Sequence, residues 1–477
     1  MVTGGRGARP GWVCRAGARR TERIPLTQRS SYRWVALGMA FFSVFGAIGL
    51  GRFGYSAILP SMQQDLGITS AAAGALASWN LAGYVVSAAV GGLLASRFGP
   101  RLVVSIGSII AAAGMLITGI AEGVTAAAAG RLLTGLGSGT VLVPSVALMS
   151  AWFELRRRGM ASGVVSSGAS LALVIAGPVV PRIIEAGGAD GWRFAWYFFA
   201  GLTFVMGALT WIVQRNGPGR AVSAPLLQGT AWSAETPVGH PRDVEEAAVA
   251  DILSRWPKSV ARPRQPQRST GLAGVYRSGF AWHLGFVYFA FGFGYVIYFT
   301  FFQKRLTADL GMSATAAGNI FLVVGVFSLV CGVLWGSISD RIGRGRALTL
   351  NYLLQGTASA LFAWWTDIPG LVISAVFCGL TALAIPGLMG AACGDRFGPI
   401  MASASLGFVT IFIGVGQTLG PYVAGKLADV FGNLTYSYAL SAAIFYVGAV
   451  VAAFLPDHRR VAARPARSEA ASERVSG

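Results

Sequence analysis

The sequence predicts an all-α membrane protein whose twelve transmembrane helices form two six-helix bundles in a parallel pseudo-twofold repeat. Three observations predict it. Only 12% of the 477 residues are charged, while 54% are hydrophobic and 65 are glycine; soluble domains carry about 25% charged residues. The apolar residues fall in long blocks, each near the length of about 20 residues that a hydrocarbon core demands of a helix. The two halves of the chain also match at a constant offset of 244 residues.

Taken in order, the first six blocks lie at 34–60, 72–96, 102–121, 125–150, 160–183 and 194–213. A hydrophilic stretch at 214–279 separates them from six more at 280–303, 315–337, 347–366, 370–392, 399–424 and 434–455. The basic residues give an independent check. With the N terminus inside, 31 of the 38 bases lie in the cytoplasmic tails and connections, and only five on the other side. That split follows the positive-inside rule. It predicts a multi-pass protein of the cytoplasmic membrane with both termini in the cytoplasm. The net charge of +19 is then a property of one membrane face, and no nucleic-acid partner is expected.

Residues 1–33 form a basic tail, predicted to be disordered, with no signal-peptide cleavage pattern; a mis-assigned upstream start accounts for the first 25 or so. The 214–279 stretch reads as a cytoplasmic linker holding one amphipathic piece, EEAAVADILSRW (245–256). Residues 456–477 read as a cytoplasmic tail. Cys14, Cys331, Cys378 and Cys393 have no metal-ligand or paired spacing and read as free thiols. No catalytic triad, metal set or phosphate loop is present, so neither an enzyme nor a cofactor is expected.

The repeat is specific. DLGITS (65–70) matches DLGMSA (309–314), Gly74 matches Gly318, Gly92 matches Gly336, and Ser96-Arg97 matches Asp340-Arg341. Both halves put their basic turn on the same side, so the repeats are parallel and rocking of one half against the other is the expected motion. The motifs resemble the major facilitator superfamily over about residues 34–455. Its cytoplasmic-loop motif stands as GSISDRIGRGR (336–346), with a degraded copy, GLLASRFGPR (92–101). RLLTGLGSG (131–139) resembles the fourth-span motif, and Gly177-Pro178 part of the fifth-span motif. GRFGYSAILPSM (51–62) is similar to the YbfB/YjiJ-like branch, with a looser fit to monocarboxylate-type and oxalate-type carriers. The resemblance implies a monomer working by alternating access. It further implies that Arg131 couples protonation or substrate to the conformational change, and that Asp340 and Arg341 latch the outward-open state. Ser96 lacks the charge of Asp340, so that latch is expected to be one-sided.

Arg52 is the most informative single residue. Eight residues before Pro60, it lies about 12 Å into the first span at 1.5 Å per residue. A guanidinium there needs an anion, a polar cavity or helix carbonyls, and its fork suits a carboxylate. It is therefore either an anion-binding group, with Tyr55 sharing its face, or a structural arginine tied to backbone. All nineteen acidic residues fall outside the central thirds of the spans, so no membrane carboxylate is present to carry a proton. Asn80 and Tyr84 in the second span, Tyr295 and Tyr298 in the seventh, and Gln417 and Tyr422 in the eleventh are further substrate-binding candidates; helix–helix hydrogen bonds or lipid-facing aromatics would explain them equally. Gly292 and Gly294 suggest a bend in the seventh span. The leading expectation is transport of a small organic anion, an aromatic or monocarboxylic acid, by symport, uniport or exchange, with a proton as one candidate coupling ion. The alternative is proton-coupled efflux of drugs or hydrophobic metabolites, which the missing membrane acid disfavours.

Overall fold

The computed structural model describes residues 26–217 and 272–456. The predictions for the outer tail residues and for 218–271, including the 245–256 piece, lie outside the described residues. The first bundle comprises α1 (Tyr32–Asp65), α2 (Ser70–Phe98), α3 (Pro100–Gly119), α4 (Val124–Trp152), α5 (Leu155–Gly187) and α6 (Gly191–Val213). A short helix, Leu272–Tyr276, leads into the second: α7 (Gly279–Lys304), α8 (Ala314–Ile342), α9 (Arg344–Trp364), α10 (Ile368–Phe397), α11 (Ala404–Phe431) and α12 (Thr435–Ala453). Among the described residues, ten stretches are long and apolar enough to cross a membrane. One of them, Gly159–Val213, holds α6 and most of α5, and α9 falls outside the ten. About twelve spans therefore stand where the sequence predicts them, with α10 broken at 382–384 and its second part continuous with α11 as one helix, Ile385–Phe431.

The repeat extends to the backbone. Six glycines have positive φ, and they form three pairs at the 244-residue offset: Gly67 with Gly311, Gly99 with Gly343, and Gly188 with Gly432. These are the turns that end α1 and α7, α2 and α8, and α5 and α11, where a side chain would be strained. The N-caps repeat as well. The Thr69 side chain accepts from the Ala72 N–H and the Ser313 side chain from the Ala316 N–H, both at 3.2 Å.

Close helix approach does most of the packing inside the first half. Gly135 and Gly139 of α4 lie against the carbonyls of Asn80 and Tyr84 in α2, and Gly137 lies against Gly107 and Ala111 in α3. Small residues let backbones meet where lipid supplies no hydrophobic drive. The same explanation corrects the expected bend in α7. Gly292 packs on the backbone of Ile413 and Gly294 on the ring of Phe445, so both make room for neighbours within a continuous helix. Between the halves, α2 meets α11, α5 meets α8, and α1 meets α7.

Gly135→Leu is expected to cost about 1–3 kcal/mol by overpacking, or to prevent assembly, because its Cβ would collide with the Asn80 carbonyl. Gly201→Leu, on an open face of α6, should melt like wild type in a detergent thermal-unfolding assay.

Candidate substrate site

The site begins with a change of helical pitch. Residues Phe45–Phe53 of α1 form a π-helical segment, and the N–H of Gly54 reaches back five residues to the Gly49 carbonyl. Such segments often mark functional positions. Here it is lined by buried glycines, with Gly49 against Ala169 and Ala172 of α5 and Gly51 against Met115 of α3 and Thr134 of α4. Arg52 sits at its end.

Arg52 reaches across to the other half. Its Nη1 donates to the Tyr295 hydroxyl at 3.3 Å, and its guanidinium lies 4.3 Å from the centre of the Tyr84 ring. The Tyr295 hydroxyl in turn donates to Gln417 Oε1 at 3.2 Å. Arg52 Nε and Nη2 are buried without a hydrogen-bond partner among the described residues. They form one edge of the guanidinium, the geometry that meets a carboxylate with two parallel bonds. Tyr295 stacks on Phe291 at 4.5 Å with planes 8° apart, Phe291 stacks on Tyr288, and Phe299 bridges Tyr295 to Phe53. The result is an aromatic wall that meets Arg52 through the Tyr295 hydroxyl.

A second guanidinium lies behind the first. Arg131 of α4 is 1% exposed; its Nη1 donates to the Gly51 carbonyl at 2.6 Å, and it lies over the rings of Tyr55 and Trp196 at 4.5 and 5.4 Å. Asn80 donates to the Arg131 carbonyl at 3.2 Å. The ten described acidic residues lie near helix ends or in turns, leaving the middle of the molecule with two cations.

Arg52, Tyr84, Tyr295 and Gln417 are thus brought together. The structure sets the other candidates apart from them. Tyr55 does not share the Arg52 face: its hydroxyl donates to the Ala73 carbonyl at 2.8 Å and its ring serves Arg131. Asn80 braces α4 against α2. Tyr298 is buried in the second bundle, bonded to Ser374 at 2.7 Å among Phe302, Phe362 and Tyr438. Tyr422 is 43% exposed on α11, near Lys426.

Among the expected gating residues, Gly177 packs directly on Gly318 of α8, and the Pro178 carbonyl accepts from Arg182 at 3.0 Å. Asp340 pairs with Arg344 at 2.8 Å, and Arg344 also holds Asp395 at 2.9 Å and Ser339. Arg341 is the neighbouring residue at the same turn. In the other half Ser96 bonds only to its own helix at Leu93, and Asn216 accepts from the Arg101 N–H at 2.8 Å. The residues that sequence reasoning missed are Phe291 and Tyr288, which continue the Tyr295 stack at helical spacing, and Trp196, whose contact with Arg131 comes from a distant helix and leaves no local signal.

Two six-helix halves joined around a polar, cationic centre define a multi-pass transporter. The chain belongs to the major facilitator superfamily, whose model matches residues 40–304. A second model, described as "Uncharacterised MFS-type transporter YbfB", matches residues 247–453. The chain is similar to "Monocarboxylate transporter 13" of Rattus norvegicus, with 26% identity covering 89% of each chain. It is similar to "Probable sulfoacetate transporter SauU" of Cupriavidus necator, with 25% identity over 90% of this chain and 95% of that one. In fold it is similar to a crystal structure of a D-xylose–proton symporter, with a TM-score of 0.66 and 16% identity over 89% of this chain and 98% of the other. It is a secondary transporter of a small polar or charged metabolite, working by alternating access, in a family of carriers and not of catalysts.

The two arginines should separate in a melting experiment without ligand. Arg131→Ala strips the Gly51 carbonyl and two rings of their partner and is expected to cost about 1–3 kcal/mol. Arg52→Ala gives up one 3.3 Å bond to Tyr295 and one ring contact but also removes two buried donors that have no partner, and should leave stability within about 1 kcal/mol of wild type.

Proposed function

We propose that this protein carries a small organic anion, with a carboxylate received by the Nε and Nη2 edge of Arg52. The single observation behind this reading is that edge: buried and unpartnered, on a residue about 12 Å into the first span. A charge in that position is costly until it is paired, so an entering anion gains more there than in water. Tyr295, held by Gln417, aligns the guanidinium, and the Tyr84 ring supports its face. The Phe291–Tyr295 wall suits a flat or apolar body attached to the acid group. The printed names of two relatives, a monocarboxylate transporter and a probable sulfoacetate transporter, denote carriers of anions and agree with this chemistry.

The described residues supply no central carboxylate to relay a proton. A proton therefore crosses on the substrate itself, or the anion is exchanged for another. Efflux of cationic drugs does not fit a centre with two guanidiniums and no acid. The distribution of arginines supports a cytoplasmic N and C terminus, with two bundles, 34–213 and 280–455, joined on the cytoplasmic side by 214–279 and flanked by the tails 1–33 and 456–477. Membership of the superfamily supports a monomer, and the similarity to a bacterial carrier supports an inner membrane.

Proteoliposome uptake and thermal shift with a panel of carboxylates, amino acids and cationic drugs test this reading. Wild type is expected to be stabilised by, and to transport, at least one carboxylate. Arg52→Ala should abolish both effects. Arg52→Lys, which replaces a fork by a point charge, should weaken binding tenfold or more, a loss of about 1.4 kcal/mol or above. Tyr295→Phe should raise KM severalfold with a smaller change in maximal rate. Transport of cations alone, or anion transport unaffected by both Arg52 changes, overturns it.

A further inference from the structure

Among the described residues, the hydrogen bonds that join the two halves lie at the level of Arg52 or toward the end of the bundle away from the basic turns. Outward of the Arg52–Tyr295 bond, the Gln303 N–H donates to Ser56 Oγ at 3.4 Å and Lys304 Nζ donates to Ser70 Oγ at 2.6 Å. At the far end, the Asp429 carboxylate of α11 takes both N–H groups that open α2, Ser70 at 2.7 Å on one oxygen and Ala71 at 2.8 Å on the other. A carboxylate in this position also meets the positive end of the helix dipole. The 244-residue offset maps Asp429 onto Glu185 and Ala71 onto Thr315. In the structure the Thr315 hydroxyl, in the first turn of α8, donates to Glu185 Oε1 at 3.3 Å. The two acids are repeat counterparts, each on the last turns of one half and each touching the start of a helix in the other.

The seams below these contacts are tight at the far end and open at the basic end. Gly177 and Gly318 abut backbone to backbone, as do Gly74 with Pro421 and Gly425 with Ser70. Carrying the antiparallel register of α5 and α8 toward the basic end brings Gly159 and Gly163 level with Gly332 and Gly336. A Cβ at any of these four would meet nothing within 4 Å. Gly407 of α11, level with the last turns of α2, is equally open. The small residues needed for close backbone approach are therefore present on both facing helices where no approach is made.

We propose that Asp429 and Glu185 are paired clasps of the far-end gate. Each carboxylate holds the first turn of a helix belonging to the other half. Releasing both, while the Gly159–Gly163 face of α5 closes on the Gly332–Gly336 face of α8, is the step to the oppositely open state. The clasp residues lie away from Arg52, so this inference stands whatever the substrate is.

Electron–electron distance measurements on spin labels at Glu122 and Asp367, exposed far-end positions in opposite halves, test it without any ligand. The native thiols Cys331, Cys378 and Cys393 are buried, and the fourth, Cys14, is replaced by serine in every labelled protein. Asp429→Asn with Glu185→Gln should increase the long-distance population at least twofold over wild type. Asp190→Asn, which loses only the pair with Arg193 in its own half, should not. Adding Gly332→Leu to the double variant should suppress the long population without lowering the melting temperature, since the leucine enters open space in the present state. Should the double variant aggregate, the single variants decide, with Asp429→Asn giving the larger shift because it holds two N–H groups. An unchanged distance distribution in the folded clasp variants, or a long population that survives Gly332→Leu, overturns the proposal.

Discussion

Charge inside a hydrocarbon layer must be answered by a partner, and the arrangement of this protein follows from how it answers two buried guanidiniums. Arg131 is answered within its own half, by the Gly51 carbonyl and by the faces of Tyr55 and Trp196. Arg52 is answered only in part, by a tyrosine hydroxyl from the other half and an aromatic face from its own. Both depend on the same short stretch of α1. The π-helical turn puts the Gly51 carbonyl toward α4 and the Arg52 side chain toward α7, so one local distortion supplies a brace and a binding edge. The hydrogen bond from Arg52 to Tyr295 also links the two halves at this level.

Backbone proximity is the second constraint. Helices that pass through lipid gain little from burying apolar side chains against each other, and here glycine lets main chain meet main chain. In the first bundle, Gly135, Gly137 and Gly139 make α4 a fixed post between α2 and α3. Between the halves, glycines close the seams at one end and lie open at the other. The fixed and the movable contacts use one chemistry, and their difference is whether the facing helix belongs to the same half.

Much of this was legible in the sequence. Twelve spans, the parallel repeat and the family follow from blocks of apolar residues and the 244-residue offset, because both are local or strictly periodic. Arg52 stood out because a charge in a span is costly wherever its partner lies. Tyr84, Tyr295 and Gln417 were named as candidates, but so were Tyr55, Tyr298 and Tyr422, and no sequence feature separates the two groups. A tyrosine hydroxyl has the same composition whether it meets Arg52, Ser374 or a backbone carbonyl. The glycines of α7 pose a related problem: a glycine that permits bending and one that admits Ile413 or Phe445 look alike until the neighbour is known.

The sequence by itself determined which segments cross the membrane, that the halves are related by a twofold repeat, and that the middle of the protein holds arginine without acid. These depend on composition and order along the chain. The tertiary structure alone decided which arginine is tied to a backbone carbonyl and which leaves a whole edge unpartnered, which tyrosine reaches it from the other half, and at which end the described glycines of the two halves abut. Those properties belong to pairs of residues, such as Arg52 with Tyr295 or Asp429 with Ser70, that lie more than 200 positions apart. Their energies arise from distance and direction in space, which spacing along the chain does not encode.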